Sequence, residues 1–141
     1  MLNRTFSYID MNNDCHNVVA IIDAPKKLEL PLNAPPGQPG AYACDFRVNG
    51  ADLDIKGSAF GVDEFHAVLG AFRDLRLQLD ALGDRIKFLD IAGWTGIPRM
   101  VTLGDSIEVQ RRIEAVLDNE HKKRQDELTA RRLAAESKEK R

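Results

Sequence analysis

Between Asp63 and Leu82 the apolar residues Phe65, Val68, Leu69, Phe72, Leu75, Leu79 and Leu82 recur at offsets of 0, 3, 4, 7, 10, 14 and 17. At about 100° per residue these positions form one stripe and leave Ala67, Asp74 and Gln78 opposite. Asp63 suits an N-cap, with Gly61 before it and Glu64 in the first turn, and Gly83 suits the C-terminal cap. A helix with a single apolar stripe is stable only against another apolar surface. The remainder of the chain must supply that surface, and the residues before Asp63 read as strands.

Thr5–Ile9 alternates through Phe6 and Tyr8, with Leu2 nearby. Asn17–Ile22 is a β-branched run (Val18, Val19, Ile21, Ile22) that suits a strand buried on both faces or at the centre of a sheet. Lys27–Leu32 alternates through Leu28, Leu30 and Leu32, with Pro31 marking an edge strand or its end. Pro35–Gly40 is a loop. Tyr42, Cys44, Phe46 and Val48 alternate with polar residues, and Asn49-Gly50 favours a type I′ hairpin back into Leu53–Phe60. This pattern predicts an antiparallel meander.

After the helix, Ile86–Ile91 reads as a strand, Gly93–Gly96 as a turn, and Ile97–Leu103 as extended, with Pro98 placing it at an edge. Gly104-Asp105-Ser106 opens a last helix, with Asp105 and Glu108 at capping-box spacing. Val109, Ile113, Val116 and Leu117 form one short apolar patch that can dock. Beyond Asp118 the stripe disappears but helical propensity does not. Acid–base pairs four apart recur as Asp118–Lys122, Glu120–Arg124, Glu127–Arg131 and Glu136–Lys140. A solvated helix without a coiled-coil repeat is expected there.

At 141 residues the chain is sized for one domain, and 43% hydrophobic residues suffice for a core. The expected division is an α+β domain over 1–117 and a charged helical extension over 118–141. The formal net charge of −2 argues against a dedicated nucleic-acid-binding protein, but it conceals a split. His121–Arg141 carries eight Lys and Arg against four acids, a net +4, which leaves −6 on residues 1–120. The longest apolar run, Val18–Ile22, is far short of a membrane span, and Met1–Asp10 is too polar for a signal peptide. A cytoplasmic protein with no membrane contact is expected.

Catalytic patterns are missing from the sequence: there is no GxSxG, no Gly-rich phosphate loop and no HExxH. The three histidines have no patterned partner. Cys15-His16 could offer two metal ligands, but adjacent residues seldom point at one ion, and Cys44 reads as a small buried hydrophobe. No enzyme activity, metal or cofactor is expected. Six residues stand out for partner binding: Asp52, Asp54, Asp63, Arg76, Trp94 and Arg99. Asp52 and Asp54 lie two apart on a strand-like stretch, where acids either share a cation or are simply solvated. Arg76 interrupts the helical stripe, as a stem snorkelling over apolar surface or as a charge set against a carboxylate or bound anion. Trp94 sits on a Gly-flanked loop, either as a recognition residue or folded back over the core.

The segments Phe60–Leu69, Phe72–Leu79 and Gly96-Ile97-Pro98-Arg99 together resemble a bacterial family of short proteins defined only as a domain of unknown function. That family shows strands, an aromatic-Gly-Val-Asp opening to a helix containing Ile/Leu-Arg, and a Gly-aromatic/Ile-Pro-Arg segment. The likeness spans about residues 42–103. His66 stands where family members usually have Gln, and the basic tail is outside the pattern. The resemblance implies an α+β fold, implies no catalytic residues, and draws attention to Arg76 and Arg99.

The expected architecture is an antiparallel meander of five or six strands packed on one central amphipathic helix, with a long charged C-terminal helix. The expected function is that of a small non-enzymatic binding protein. Its leading form is a bacterial immunity protein that neutralises a basic toxin domain by charge complementarity. The alternative is an adaptor or regulator whose basic C-terminal helix engages nucleic acid or a protein complex.

Overall fold

In a computed structural model, residues 1–35, 37, 40–98 and 106–139 are described. Arg99, Asp105, Lys140 and the second half of the expected extended segment Ile97–Leu103 lie outside the described residues, as do Pro36, Gln38 and Pro39 of the Pro35–Gly40 loop. The chain divides into two units, Met1–Met100 and Val101–Arg141.

The first unit is an α+β structure, as expected, built on a seven-stranded antiparallel sheet. The strands are β1 (Leu2–Ile9), β2 (Cys15–Ile22), β3 (Lys26–Lys27), β4 (Tyr42–Asn49), β5 (Ile55–Gly61), β6 (Ile86–Phe88) and β7 (Ile91–Ala92). In space they run β5-β4-β2-β1-β6-β7, and β3 also pairs with β4, opposite its first residues Tyr42 and Ala43. Helix α1 (Glu64–Asp80) links β5 on one side of the sheet to β6 on the other.

Registers explain which residues form the core. Leu2↔Ile22, Arg4↔Ala20, Phe6↔Val18 and Tyr8↔His16 pair across β1 and β2, and Ile22↔Phe46 and Ala20↔Val48 carry the same face onto β4. Paired residues share a face, so Phe6, Tyr8, Val18, Ala20, Ile22, Cys44, Phe46 and Val48 all turn inward and are buried. Only that face of β2 is buried. Val19 and Ile21 stay half-exposed on the other side, so of the two expectations for this run the structure shows the strand at the centre of the sheet, between β4 and β1, and not one covered on both faces.

Helix α1 has the expected cap, with the Asp63 side chain accepting a hydrogen bond from the His66 amide at 2.7 Å. Its buried row is Ala67, Ala71, Leu75 and Leu79, at a strict spacing of four. Relative to the expected stripe this face is rotated by about 60° toward the alanines, and Phe65 is left 69% exposed. The reason is distance. A Cβ on Gly70 would sit 3.0 Å from the Ala59 Cβ of β5, so small residues bring the helix axis close to the strand. Large side chains at the seam would hold it off.

Three local expectations are corrected. Leu28, Leu30 and Leu32 are exposed, and only Lys26–Lys27 forms a strand there, because Pro25 and Pro31 remove backbone donors on either side. The Asn49-Gly50 turn is longer than a two-residue hairpin: Asn49 remains in β4 and positive φ falls on Gly50 (126°) and Ala51 (50°). The expected single strand Ile86–Ile91 is instead a hairpin of β6 and β7, with type I′ geometry at Leu89 (φ 51°) and Asp90 (φ 60°), between the paired residues Phe88 and Ile91.

The described part of the second unit is built on helix α2 (Ile107–Glu139), so the expected boundary at 117/118 falls inside one continuous helix. Its first turn is capped by the Ser106 hydroxyl, which accepts from the Val109 amide at 3.3 Å. Ion pairs form along it between Lys123 and Glu120 (2.6 Å), Arg124 and Glu127 (3.5 Å) and Arg132 and Glu136 (2.9 Å). These differ from the expected partners because three and four residues along a helix are nearly equivalent distances.

Candidate functional site

The most distinctive region of the sheet unit is the loop that follows β7, from Gly93 to Ile97. Gly93 (φ 70°) and Gly96 (φ 62°) both adopt left-handed backbone, and a Cβ on Gly96 would lie 2.5 Å from the Phe88 ring. Only glycine lets the chain pass so near that ring. Trp94 packs against Phe88 in a tilted arrangement, with ring centroids 5.6 Å apart, and Phe88 in turn contacts Phe6 at 5.9 Å. Trp94 nevertheless keeps 44% of its surface exposed. It is both a lid on the aromatic row and an accessible ring.

Two arginines hold the loop from different elements. Arg4 of β1 places its guanidinium 4.4 Å over the Phe88 ring and donates to the Thr95 carbonyl at 3.3 Å. Arg76 of α1 donates through Nη1 to the Ile97 carbonyl at 2.5 Å and through Nε to Asp80 at 3.1 Å. Arg76 is thus set against a carboxylate and a backbone carbonyl, and its charge fastens the loop to the helix. Thr95 is buried, with its hydroxyl accepting from the Ile97 amide at 3.3 Å.

Beside this loop lies a cleft of about 180 Å³, lined by Leu2, Asn3, Arg4, Ala20, Ile22, Phe72, Leu75 and Ile97. Its walls are β1 and β2, mainly through their inward-facing residues, one side of α1, and the end of the loop. Arg4 is the only charged side chain among them, and no carboxylate pairs with it among the described residues. Ligand sites in proteins are typically concave, mostly apolar and provided with a few polar groups that fix orientation. No family model, curated protein or solved structure matches the chain. The resemblance drawn from the sequence therefore assigns no role to any residue here.

A second polar cluster lies where β1 meets β2 and β6. Arg85 stacks on the Tyr8 ring at 4.9 Å, donates to the Ile9 carbonyl at 2.8 Å and donates to the Tyr8 hydroxyl. Burial, and then a hydrogen bond to the Asp52 carboxylate, push the Tyr8 hydroxyl above its ordinary pKa, with Arg85 pulling the other way. Next to it, His16 Nε2 lies 2.8 Å from Asp10 Oδ2. The Asp10 carboxyl is held below its usual range, first by the Asp14 backbone amide and then by His16. Each polar group here is matched by a neighbour, and the cluster fastens strand ends together. Among the described residues no three His, Cys, Asp or Glu side chains are grouped to hold a metal ion.

The structure separates the acids expected to act together. Asp52 and Asp54 stand on the exposed β4–β5 turn, where Asp54 pairs with Lys56 at 3.0 Å. Asp63 is at the other end of β5, about 20 Å away along the strand, and its carboxylate accepts from the His66 amide as the α1 cap, with His66 Nδ1 lying 2.9 Å away. Arg76 and Trp94 do converge, on the same loop. Arg99 lies outside the described residues. Sequence reading missed Arg4, although its signal was present: with Leu2, Phe6 and Tyr8 it shares the inward parity of β1, where a charged residue needs explaining. No helix among the described residues is long and apolar enough to cross a membrane.

Proposed function

We propose that the chain is a non-enzymatic binding protein that receives a small apolar group in the cleft between α1 and the Gly93–Ile97 loop. The observation that carries this reading is the cleft itself: mostly apolar walls, with Arg4 as the one charged residue among the described lining. Its volume suits a ring or a branched side chain rather than a large cofactor, since an apolar cavity of about 150 Å³ accommodates benzene. A non-catalytic role is favoured by the cluster around Tyr8, Arg85, His16 and Asp10, whose groups are taken up by one another. Toluene tests the reading directly. Titration of the full chain, followed by amide NMR, should shift the resonances of Ala20, Ile22, Leu75 and Ile97. An unperturbed spectrum in toluene-saturated buffer would refute it.

A second reading concerns the toxin-neutralising role. Asp52 and Asp54 are exposed together on one turn and could face a basic protein domain. Replacing both with Asn should then slow association with such a toxin domain, for example one encoded beside this chain, and flatten the salt dependence. An unchanged on-rate would eliminate these two carboxylates as the contact surface.

A further inference from the structure

We infer that the natural occupant of the cleft is a small organic monocarboxylate with a compact apolar body. This rests on the reading of the cleft as a binding site and adds the chemical class of its ligand.

The inference begins with the placement of Arg4. It occupies an inward-facing position in β1, directly paired with buried Ala20 of β2, where an uncharged side chain would complete the core at no electrostatic cost. Its guanidinium is partly buried and lacks a carboxylate partner among the described residues. One Nη hydrogen is committed to the Thr95 carbonyl, at the long distance of 3.3 Å. A guanidinium has five N–H donors, so most of the fork is left for something else. The other arginines of this unit whose surroundings are described show the contrast. Arg47 meets Asp23 at 2.5 Å, Arg73 meets Asp74 at 2.8 Å and Arg76 meets Asp80. Arg85, which also has no carboxylate partner among the described residues, uses two of its nitrogens on the Ile9 carbonyl and the Tyr8 hydroxyl, where Arg4 uses one.

Arg4 is also held ready. The Phe88 ring beneath it and the Thr95 carbonyl beside it fix the plane of the guanidinium before any ligand arrives, which lowers the ordering cost of binding. A planar fork of parallel N–H groups matches a carboxylate in a bidentate arrangement. Among the described residues, the remaining lining supplies no second cation and no acid that would repel an anion. A volume of about 180 Å³ admits a body of roughly six to ten non-hydrogen atoms. Phe72, Leu75, Ile97 and Ile22 offer that body apolar contact.

Phenylacetate and its neutral isostere phenylacetamide are the probes, titrated into the full chain and followed by amide NMR. The expected result is phenylacetate binding at least about tenfold tighter than the amide, the value of one charge-assisted hydrogen-bonded pair. Shifts should centre on Leu2, Ala20, Leu75 and Ile97. Arg4→Gln should abolish the preference, weakening phenylacetate binding at least about tenfold more than it weakens amide binding. Should that variant lose the native spectrum, Arg4→Lys serves instead: it keeps the charge, loses the planar fork, and should reduce the preference several-fold. Equal binding of acid and amide by the native chain would overturn the carboxylate inference, and the cleft would remain a site for apolar groups. Phenylacetate shifts confined to the basic residues of α2 would overturn it as well. Failure of toluene, acid and amide alike would overturn both readings.

Discussion

Gly61→Ala should be among the most damaging single-methyl additions in the sheet unit. Gly61 ends β5, two residues before the cap of α1, so the chain turns there from strand to helix in a very short span. An added Cβ would lie 2.3 Å from the Ala67 amide nitrogen and 2.7 Å from the His66 carbonyl carbon. Both are backbone atoms of the first helical turn and cannot swing aside. Ordinary contact requires about 3.4 Å or more, so the start of α1 must retreat by roughly 1 Å. A gap of that size forfeits between a quarter and a half of each van der Waals well it opens. A buried Leu has several tens of such contacts worth about 0.1–0.2 kcal/mol each. Spread over Ala67, Ala71, Leu75 and Leu79, and diminishing along the helix, the loss is about 3 kcal/mol, a large share of the stability of a domain this size. The assay is urea unfolding followed by the fluorescence of Trp94, the single tryptophan and part of the same unit. The midpoint should fall by roughly 1–2 M. Gly83→Ala is the control. It has a left-handed φ of 57° with nothing within 4 Å of an added Cβ, so it should cost only about 1 kcal/mol, from backbone conformation alone. If Gly61→Ala costs no more than Gly83→Ala, the close approach of α1 to β5 is wrong.

Two further outcomes follow from local geometry. Leu89 adopts φ 51° in the β6–β7 turn with 71% of its surface exposed, so Leu89→Asn should relieve backbone strain without losing a core contact. A gain of about 0.5–1 kcal/mol and a rise of roughly 2–5 °C in Tm are expected, and an unchanged or lower Tm in a thermal melt would count against the turn assignment. Asp10 governs part of the acid limb of stability. Its folded pKa lies below the ordinary 3.8, so the folded state binds fewer protons than the unfolded chain between those values. Its contribution is complete above the unfolded value and is lost as the pH falls through the folded one. Asp10→Asn should therefore make the urea midpoint less pH-dependent below about pH 4, and parallel curves for both proteins would refute the assignment.

The sheet and α1 were legible because their signals are periodic and local. Alternation identified the inward residues of β1 and β4, and Asp63 announced its cap through residue type alone. The buried face of α1 was misjudged because periodicity weighs large apolar side chains, whereas the seam against β5 is set by Ala67, Gly70 and Ala71. The β6–β7 turn was missed because Leu89 is not a residue that favours positive φ, and Asn49-Gly50 was a stronger signal at a place that makes a longer turn. The cleft was harder still. It depends on pairing β1 with β2, on α1 crossing the sheet, and on a loop more than ninety residues from Arg4 in the chain. No window of sequence contains those relations. Arg76 and Trp94 could be singled out as unusual, but their shared hold on one loop became visible only in three dimensions.

The placement of β1 in the interior of the sheet also determines when the fold can be completed. Its hairpin with β2 closes locally, but its other edge waits for β6, and Arg4 waits for Thr95. During synthesis β1 must therefore stand with one edge unpaired until β6, about eighty residues further along the chain, has been made. Contacts of such long sequence separation are slow to form and leave apolar surface and free strand edge exposed in the interval. The polar outer face of β1, with Asn3, Thr5 and Ser7, keeps that waiting strand from being apolar on both sides. The same long-range closure that creates the cleft makes it one of the last features to appear as the chain folds.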